Sequence, residues 1–361
     1  MTAWGAYGGQ GAVGVWLVGA RGSVGVTTIA GTAALCAGLV PPTGCVTARR
    51  EFSSLELPRF DELVFGGHDI APTGLLERAE RLADEGVMPP GLPRLVRDGL
   101  LAAEEEVRPG VAGTGPGPGG RSGRPPGQEE AIRRLTDDIL SFRRRLALER
   151  VVVVNVAPPG PAVPPRPAHA SLSALRQALA AGERVLPDGA LYACAALRAD
   201  CSYVDLAPPP GGELPVLAEL AVERGLPYAG GEGGSGGALL RSALDPVLAH
   251  RALDVRSWSG GRVRGGRRTA REQVSFEGFL GARMALRFSL QGCESALTAP
   301  LVLDLARLMA LADRAGVRGP VPELSFFFGG PAPDAPDGRE GPLEERYAAL
   351  VDWAHGLSVP V

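Results

Sequence analysis

Gly19, Gly22 and Gly25 fall three residues apart, directly after the short apolar run Val13–Val18 and directly before a small-residue apolar stretch, Val26 to Leu39. A strand must turn sharply there into a helix, and glycine lets the backbone do so and come close to a ligand. The helix after the turn offers free N–H groups to an anion at its start. GxxGxxG at this place therefore predicts a pyrophosphate cradle, one residue removed from the GxGxxG dinucleotide fingerprint. The same residues would also serve as a plain turn for close helix–strand packing. The acid expected about 20 residues further on is not clearly placed. Glu51 is a candidate, although no apolar strand precedes it.

A second feature bears on chemistry. All 37 residues of the Lys+Arg count are arginine, so the chain has no lysine. Schiff-base catalysis, a P-loop lysine and a compact ammonium beside a developing alkoxide are excluded. A composition rich in Ala, Gly, Pro and Arg accounts for such replacement over the surface.

These residues need elements to position them. Val13–Val18 reads as a buried strand, and 60–70 contains a second. Residues 72–106 read as helix in pieces, broken by Pro89, Pro90 and Pro93. Residues 108–128, nearly all Gly, Pro, Arg and Ser, predict a flexible loop. Ile132, Leu135, Ile139, Phe142 and Leu146 set a helix over 129–148. Val151–Val156 is a continuous β-branched run of the kind a parallel sheet covers on both faces. Helices over 171–181, 189–199 and 214–224 and a strand at 203–206 complete an alternating order. Beyond residue 250 the segments 254–258, 273–279 and 284–290 alternate like antiparallel strands. Residues 297–315 and 343–355 read as helices.

The fold class expected is therefore α/β: a Rossmann-type doubly wound parallel sheet with a second α+β domain containing a largely antiparallel sheet. The division expected is 1–228 for the nucleotide domain, 229–296 for the second domain, and 297–361 for helices returning to the first. A formal net charge of −3 speaks against nucleic acid or an anionic membrane as partner. No apolar run reaches the roughly 18 residues that span a bilayer, and no secretory leader is visible at the N-terminus. The five cysteines, at 36, 45, 194, 201 and 293, are odd in number and contain no CxxC. They predict buried thiols in a reducing cytoplasm and no metal site.

Several blocks together resemble the myo-inositol-1-phosphate synthase (inositol-3-phosphate synthase) family. They are VWLVGARGSVGVTTIAG at 15–31, DELVFGGHDI at 61–70, the stretch 131–157 ending in VVVVNVA, the stretch 192–248, RSWSG at 256–260, SFEGFLG at 275–281 and ESALTAPLVLDLARL at 294–308. Their order and spacing cover most of residues 13–330.

The resemblance implies a cytoplasmic homotetramer with NAD as cofactor and a sugar phosphate as substrate. In such enzymes bound NAD oxidises C5 of glucose 6-phosphate, the ketone acidifies C6, an aldol step closes the ring, and the NADH formed reduces the product. It further implies cofactor-binding positions at Gly19, Arg21, Gly22, Ser23, Val24, Gly25, Asp69, Ile70, Asn155, Ala157 and Asp205. Catalytic or substrate positions are implied at Glu232, Ser235, Arg241, Glu294 and Ser295. His68 stands where the family commonly has Trp, and is expected to pack in the cofactor pocket and not to act as a base.

The chain departs from the family at its cations. D-G-K-[ST]-G followed by a second lysine becomes Glu232-Gly233-Gly234-Ser235-Gly236 and Arg241. F-F-K-x-P becomes Phe327-Phe328-Gly329-Gly330-Pro331. Asn-Val-Ala-Ser-Thr becomes Asn155-Val156-Ala157-Pro158-Pro159, and Asn-x-[ST]-Pro becomes Asp205-Leu206-Ala207-Pro208. Removing one buried charge partner from an active site costs about 2–4 kcal/mol, or roughly two to three decades in rate. Arg262, Arg264, Arg267, Arg268 and Arg271 form a cluster that would suit a phosphate or simply a solvated loop. Two readings are open: an NAD-dependent sugar-phosphate cyclase, or an NAD-binding paralogue that acts as a sensor or partner subunit.

Overall fold

The computed structural model describes residues 11–111, 127–160, 164–207, 214–233, 236–263, 269–329 and 342–357; the side chains at 232–242, 261–271, 290–291 and 329 lie outside the described residues. In chain order the elements are β1 (Val13–Val18), α1 (Ser23–Cys36), β2 (Leu63–Asp69), α2 (Leu75–Asp84), α3 (Leu92–Leu95), α4 (Arg97–Glu104) and β3 (Val107–Pro109). Then come α5 (Gln128–Arg145), β4 (Arg150–Asn155), α6 (Leu172–Ala180), α7 (Asp188–Arg198), β5 (Ser202–Asp205), α8 (Pro215–Arg224) and β6 (Pro227–Gly230). The remainder are β7 (Glu232–Gly233), α9 (Gly236–His250), β8 (Asp254–Val263), β9 (Thr269–Glu277), β10 (Arg283–Gln291), α10 (Glu294–Arg314), β11 (Gly319–Pro320), β12 (Phe328–Gly329) and α11 (Leu343–Gly356).

Seven strands form the main sheet in the order β3-β2-β1-β4-β5-β6-β11, all parallel. Its first six strands follow the 3-2-1-4-5-6 order of the Rossmann fold, with the reversal between β1 and β4. The β4 run shows why the sheet needs cover on both sides. Val152 and Val154 join the core beneath α1, α2, α4 and α10, whereas Val151 and Val153 join the core beneath α5, α6, α7 and α8. Strands alternate their side chains, so an unbroken valine run feeds two layers. A separate three-stranded antiparallel sheet, β10-β9-β8, is packed by α9.

The 108–128 loop is narrower than expected. Arg108 and Pro109 pair with β2 as an edge strand, and Gln128 already lies in α5. The Gln128 amide is buried: its Oε1 accepts from the Val185 and Leu186 N–H groups (2.8 and 3.0 Å), and its Nε2 donates to the Leu186 carbonyl at 2.6 Å. Three matched bonds to one neighbouring segment start the helix here. Residues 112–126 lie outside the described residues. β6 carries the sheet past residue 228, and α10 begins ahead of 297. Of the five cysteines, Cys45, Cys194 and Cys201 are buried, but Cys36 and Cys293 are only half-buried; none is in a disulfide.

α10 is long and apolar enough to cross a membrane, which the reading of apolar runs did not register. Most of it is buried instead against α1 and strands β4 and β5. Asp304 on its inner face is fully buried and accepts from the backbone N–H groups of Val46 and Thr47 (2.7 and 2.9 Å) and from the Thr47 hydroxyl. Arg307, one turn on, donates to the Pro58 carbonyl at 2.7 Å and to the same hydroxyl. Burial pushes the Asp304 carboxyl up to about 6, while these donors pull it back. The pair pins residues 45–58, the irregular passage between α1 and β2, to the central helix.

His68 on β2 points into the opposite layer. It is 0 % exposed and touches the rings of Trp16 and Tyr192. Trp16 Nε1 donates to His68 Nδ1 at 2.8 Å, so the ring proton sits on Nε2, facing Asp138 Oδ2 at 3.1 Å. Its side chain is thus a core group beneath α5 and α7, not a wall of the cofactor groove. Burial lowers its pKa from the usual 6.5. A His whose folded pKa is depressed contributes stability that is present above the unfolded pKa and lost as the pH falls below it. The unfolding free energy in urea, compared at about pH 7.5 and about pH 5, should therefore drop further in the wild type than in His68→Gln. Equal drops would remove His68 from the acid response.

Candidate functional site

The glycine loop is built against the end of β2. Gly19 N–H and Ala20 N–H both donate to the His68 carbonyl (2.8 and 3.3 Å), Arg21 N–H donates to Asp69 Oδ2 at 2.7 Å, and Gly22 N–H donates to the Gly19 carbonyl at 3.0 Å. Gly19 has φ +90°, and a Cβ there would lie 2.9 Å from the Ala157 Cα. Gly25 sits in the first turn of α1, where a Cβ would meet the Ala20 carbonyl oxygen at 2.4 Å. Both positions demand glycine for want of space, and Gly19 also for its backbone angle.

The loop leads into an open helix start. Gly22 caps α1 with no side-chain hydrogen bond, and its first turn holds no acidic residue. First-turn N–H groups have no acceptor inside a helix. Those of Ser23, Val24 and Gly25 thus point, with the positive end of the helix dipole, out at the reversal between β1 and β4. This is the geometry that receives a diphosphate.

Asp69 ends β2, beside β1, where the fold places the acid that meets a ribose. Its Oδ1 accepts from Ala71 N–H at 2.7 Å, while Oδ2 holds the loop. Ile70 next to it is 65 % exposed, an apolar face at the mouth of the groove. Glu51 is not that acid: it lies on a short 3-10 turn and takes hydrogen bonds from Tyr347 Oη and Arg49, both at 3.0 Å. The 3-10 turns between α1 and β2 lengthen the usual spacing, which is why counting residues pointed short of Asp69. The Arg21 side chain, another of the expected cofactor positions, is engaged within the protein beside the end of β2. Its guanidinium pairs with Glu104 and donates to the Ala71 carbonyl at 2.7 Å, and Glu104 also accepts from Leu75 N–H, the start of α2, at 2.6 Å.

Across the reversal, Asn155 and Asp205 end β4 and β5. Asn155 Nδ2 donates to Asp205 Oδ1 at 3.0 Å, and Asn155 Oδ1 accepts from Ala157 N–H at 3.2 Å. Asp205 Oδ1 also accepts from Ala207 N–H at 2.9 Å, and its Oδ2 faces the Tyr203 hydroxyl at 3.4 Å. Both side chains are almost fully buried. Burial pushes the Asp205 carboxyl up; the donors from Ala207, Asn155 and Tyr203 oppose it.

The Asp205 carbonyl accepts from Gly231 N–H at 3.1 Å, and a Cβ on Gly231 would meet the Phe328 Cβ at 2.6 Å. That contact leads into the β7–β12 ribbon, in which Gly329 pairs with Glu232 and Phe328 with Gly233. Gly329, where the resembling motif has lysine, thus sits opposite Glu232, in the stretch that runs on to Gly234. Gly234 and Ser235, and the side chains of Glu232, Arg241, Arg262 and Arg271, lie outside the described residues, as do Arg264, Arg267 and Arg268. Glu294 and Ser295 open α10, with Ser295 buried. The sequence reading did not single out Arg346. It is buried on α11, where its Nη1 donates to the Ser325 and Phe328 carbonyls (3.1 and 3.3 Å) and so supports the ribbon from below. One arginine among 37 in an ordinary amphipathic helix gives no signal of this.

The model of the myo-inositol-1-phosphate synthase family matches residues 13–354. An inositol-3-phosphate synthase of Bacteroides thetaiotaomicron is 25 % identical, with 90 % of each chain covered. Among solved structures, inositol-3-phosphate synthase of Caenorhabditis elegans superposes with a TM-score of 0.81 at 17 % identity, over 96 % of this chain and 86 % of that one. A myo-inositol-1-phosphate synthase-related protein of Thermotoga maritima gives 0.74 at 20 % identity, over 95 % and 98 %. These two share the fold, the parallel sheet with its separate antiparallel sheet. With a match running from β1 to α11, this chain belongs to the myo-inositol-1-phosphate synthase family.

Proposed function

We propose that this chain binds NAD across the β1–β4 reversal and uses it on a phosphorylated sugar, in the manner of the inositol phosphate synthases it resembles. The bare first turn of α1 carries the reading, because an uncapped helix start that opens outward beside a strand reversal is what a pyrophosphate satisfies. When bound, NAD takes a hydride from a substrate carbinol and can return it later. The chain's own residues then divide the work. The N–H groups of Ser23, Val24 and Gly25 hold the diphosphate, Asp69 and Ile70 line the adenosine half, and Asn155, Ala157 and Asp205 line the nicotinamide half. Glu232, Ser235 and Arg241, with Glu294 and Ser295, are the substrate-side candidates. A cytoplasmic setting belongs to the same proposal.

A second reading keeps the cofactor and loses turnover. Gly234 and Gly329 favour it, since both stand where the family motifs carry a cation, and neither brings a side-chain charge to a developing anion. A homotetramer is the assembly proposed. Phe279 and Leu280, 88 % and 89 % exposed at the β9–β10 turn, and the half-exposed Met284 and Leu286 on edge strand β10, offer a second copy an apolar face.

Four outcomes test these statements. Gly25→Ala should weaken NAD affinity at least about tenfold by calorimetry, because its methyl group displaces the Ala20 carbonyl from the cradle; unchanged affinity sinks the proposed cradle. The purified protein with NAD and glucose 6-phosphate should release inositol phosphate. Tight NAD binding without product selects the second reading, and Gly234→Lys combined with Gly329→Lys should then raise turnover if the site is otherwise intact. Light scattering should return the mass of four chains, and Phe279→Asp with Leu280→Asp should lower it.

A further inference from the structure

We infer that Asp205 biases bound NAD toward its oxidised form, acting as a redox-tuning residue of the groove; this rests on the NAD reading above. The position carries it. β5 lies in the second mononucleotide half of the sheet, beyond the β1–β4 reversal, and that half takes the nicotinamide when the β2 acid takes the adenosine. Asp205 ends β5 with only 5 % of its surface exposed. It accepts from Asn155, Ala207 and Tyr203, all uncharged donors, and no cation among the described residues acts on it.

When ionised, that carboxyl carries a negative charge held by three neutral donors and by no described cation. Burial makes its ionised form costly while the groove is free of a cation. The oxidised nicotinamide ring carries a positive charge and the reduced ring carries none. Only the oxidised ring relieves the cost, so its affinity gains and that of the reduced form does not. Asparagine, which the resembling motif places here, would supply the same hydrogen-bond geometry without the charge. The predicted consequence is a cofactor that rests oxidised and gives up its hydride readily once reduced.

The test compares the dissociation constants of NAD and NADH in the wild type, Asp205→Asn and Asp205→Ser, by calorimetry and by NADH fluorescence. Thermal unfolding checks that each variant is folded. Both variants should lower the ratio of the NADH constant to the NAD constant on the order of tenfold, the scale of one partly screened charge pair. A merely structural role would weaken both forms by a common factor and leave the ratio where it was. That result overturns the inference while leaving the NAD reading standing. Failure of the wild type to bind either form overturns the NAD reading itself, and this inference with it.

Discussion

The contact between the glycine loop and the end of β2 governs what the rest of the molecule can do. The His68 carbonyl takes two loop N–H groups and the Asp69 carboxylate takes a third. With those donors tied to the sheet, the free donors that remain in the turn belong to the first turn of α1. Gly22 is exposed and Ser23 and Val24 are half-buried, so these donors open outward. Each neighbour reinforces the arrangement: Ala157 closes on Gly19, Ala20 on Gly25, and Arg21 bolts the loop to Glu104 and the start of α2.

The charges tell a complementary story. The described guanidinium groups near the groove are engaged in holding the protein together. Arg21 serves α2 and α4, Arg307 serves the passage from α1 to β2, and Arg346 serves the β7–β12 ribbon. A planar five-donor fork suits such bridging between carbonyls and carboxylates, whereas a compact ammonium suits a single point of developing charge. Asp205 is a buried acid at the end of β5, across the β1–β4 reversal, held by neutral donors.

Much of the fold was legible in residue order. The β4 valines predicted a sheet covered on both faces, the alternation of strand and helix predicted the doubly wound topology, and the apolar spacing over 129–148 predicted α5. Short elements were not legible. β3, β6, β7, β11 and β12 hold two to four residues each, too few to show a period, and they exist because neighbouring backbone is already in register. α10 looked like one more amphipathic helix; it is a central one, and Asp304 and Arg307 on it are polar groups whose partners lie roughly 250 residues away in sequence. His68 was placed by analogy in the groove, but alternation along β2 turns it to the other face, against Trp16.

Residue order was enough to specify a strand–glycine–helix unit that presents backbone donors to an anion, since that depends only on adjacent residues and on the absence of a Cβ. It also determined that no ammonium group would stand in the site. Folding was needed to bring Asp69 to the loop, to join Asn155 and Asp205 by a hydrogen bond, and to set Gly329 opposite Glu232. Those pairings join residues separated by 48, 50 and 97 positions. Strand order and register set them, and these arise from burying two layers of helix on one sheet, which no local spacing records.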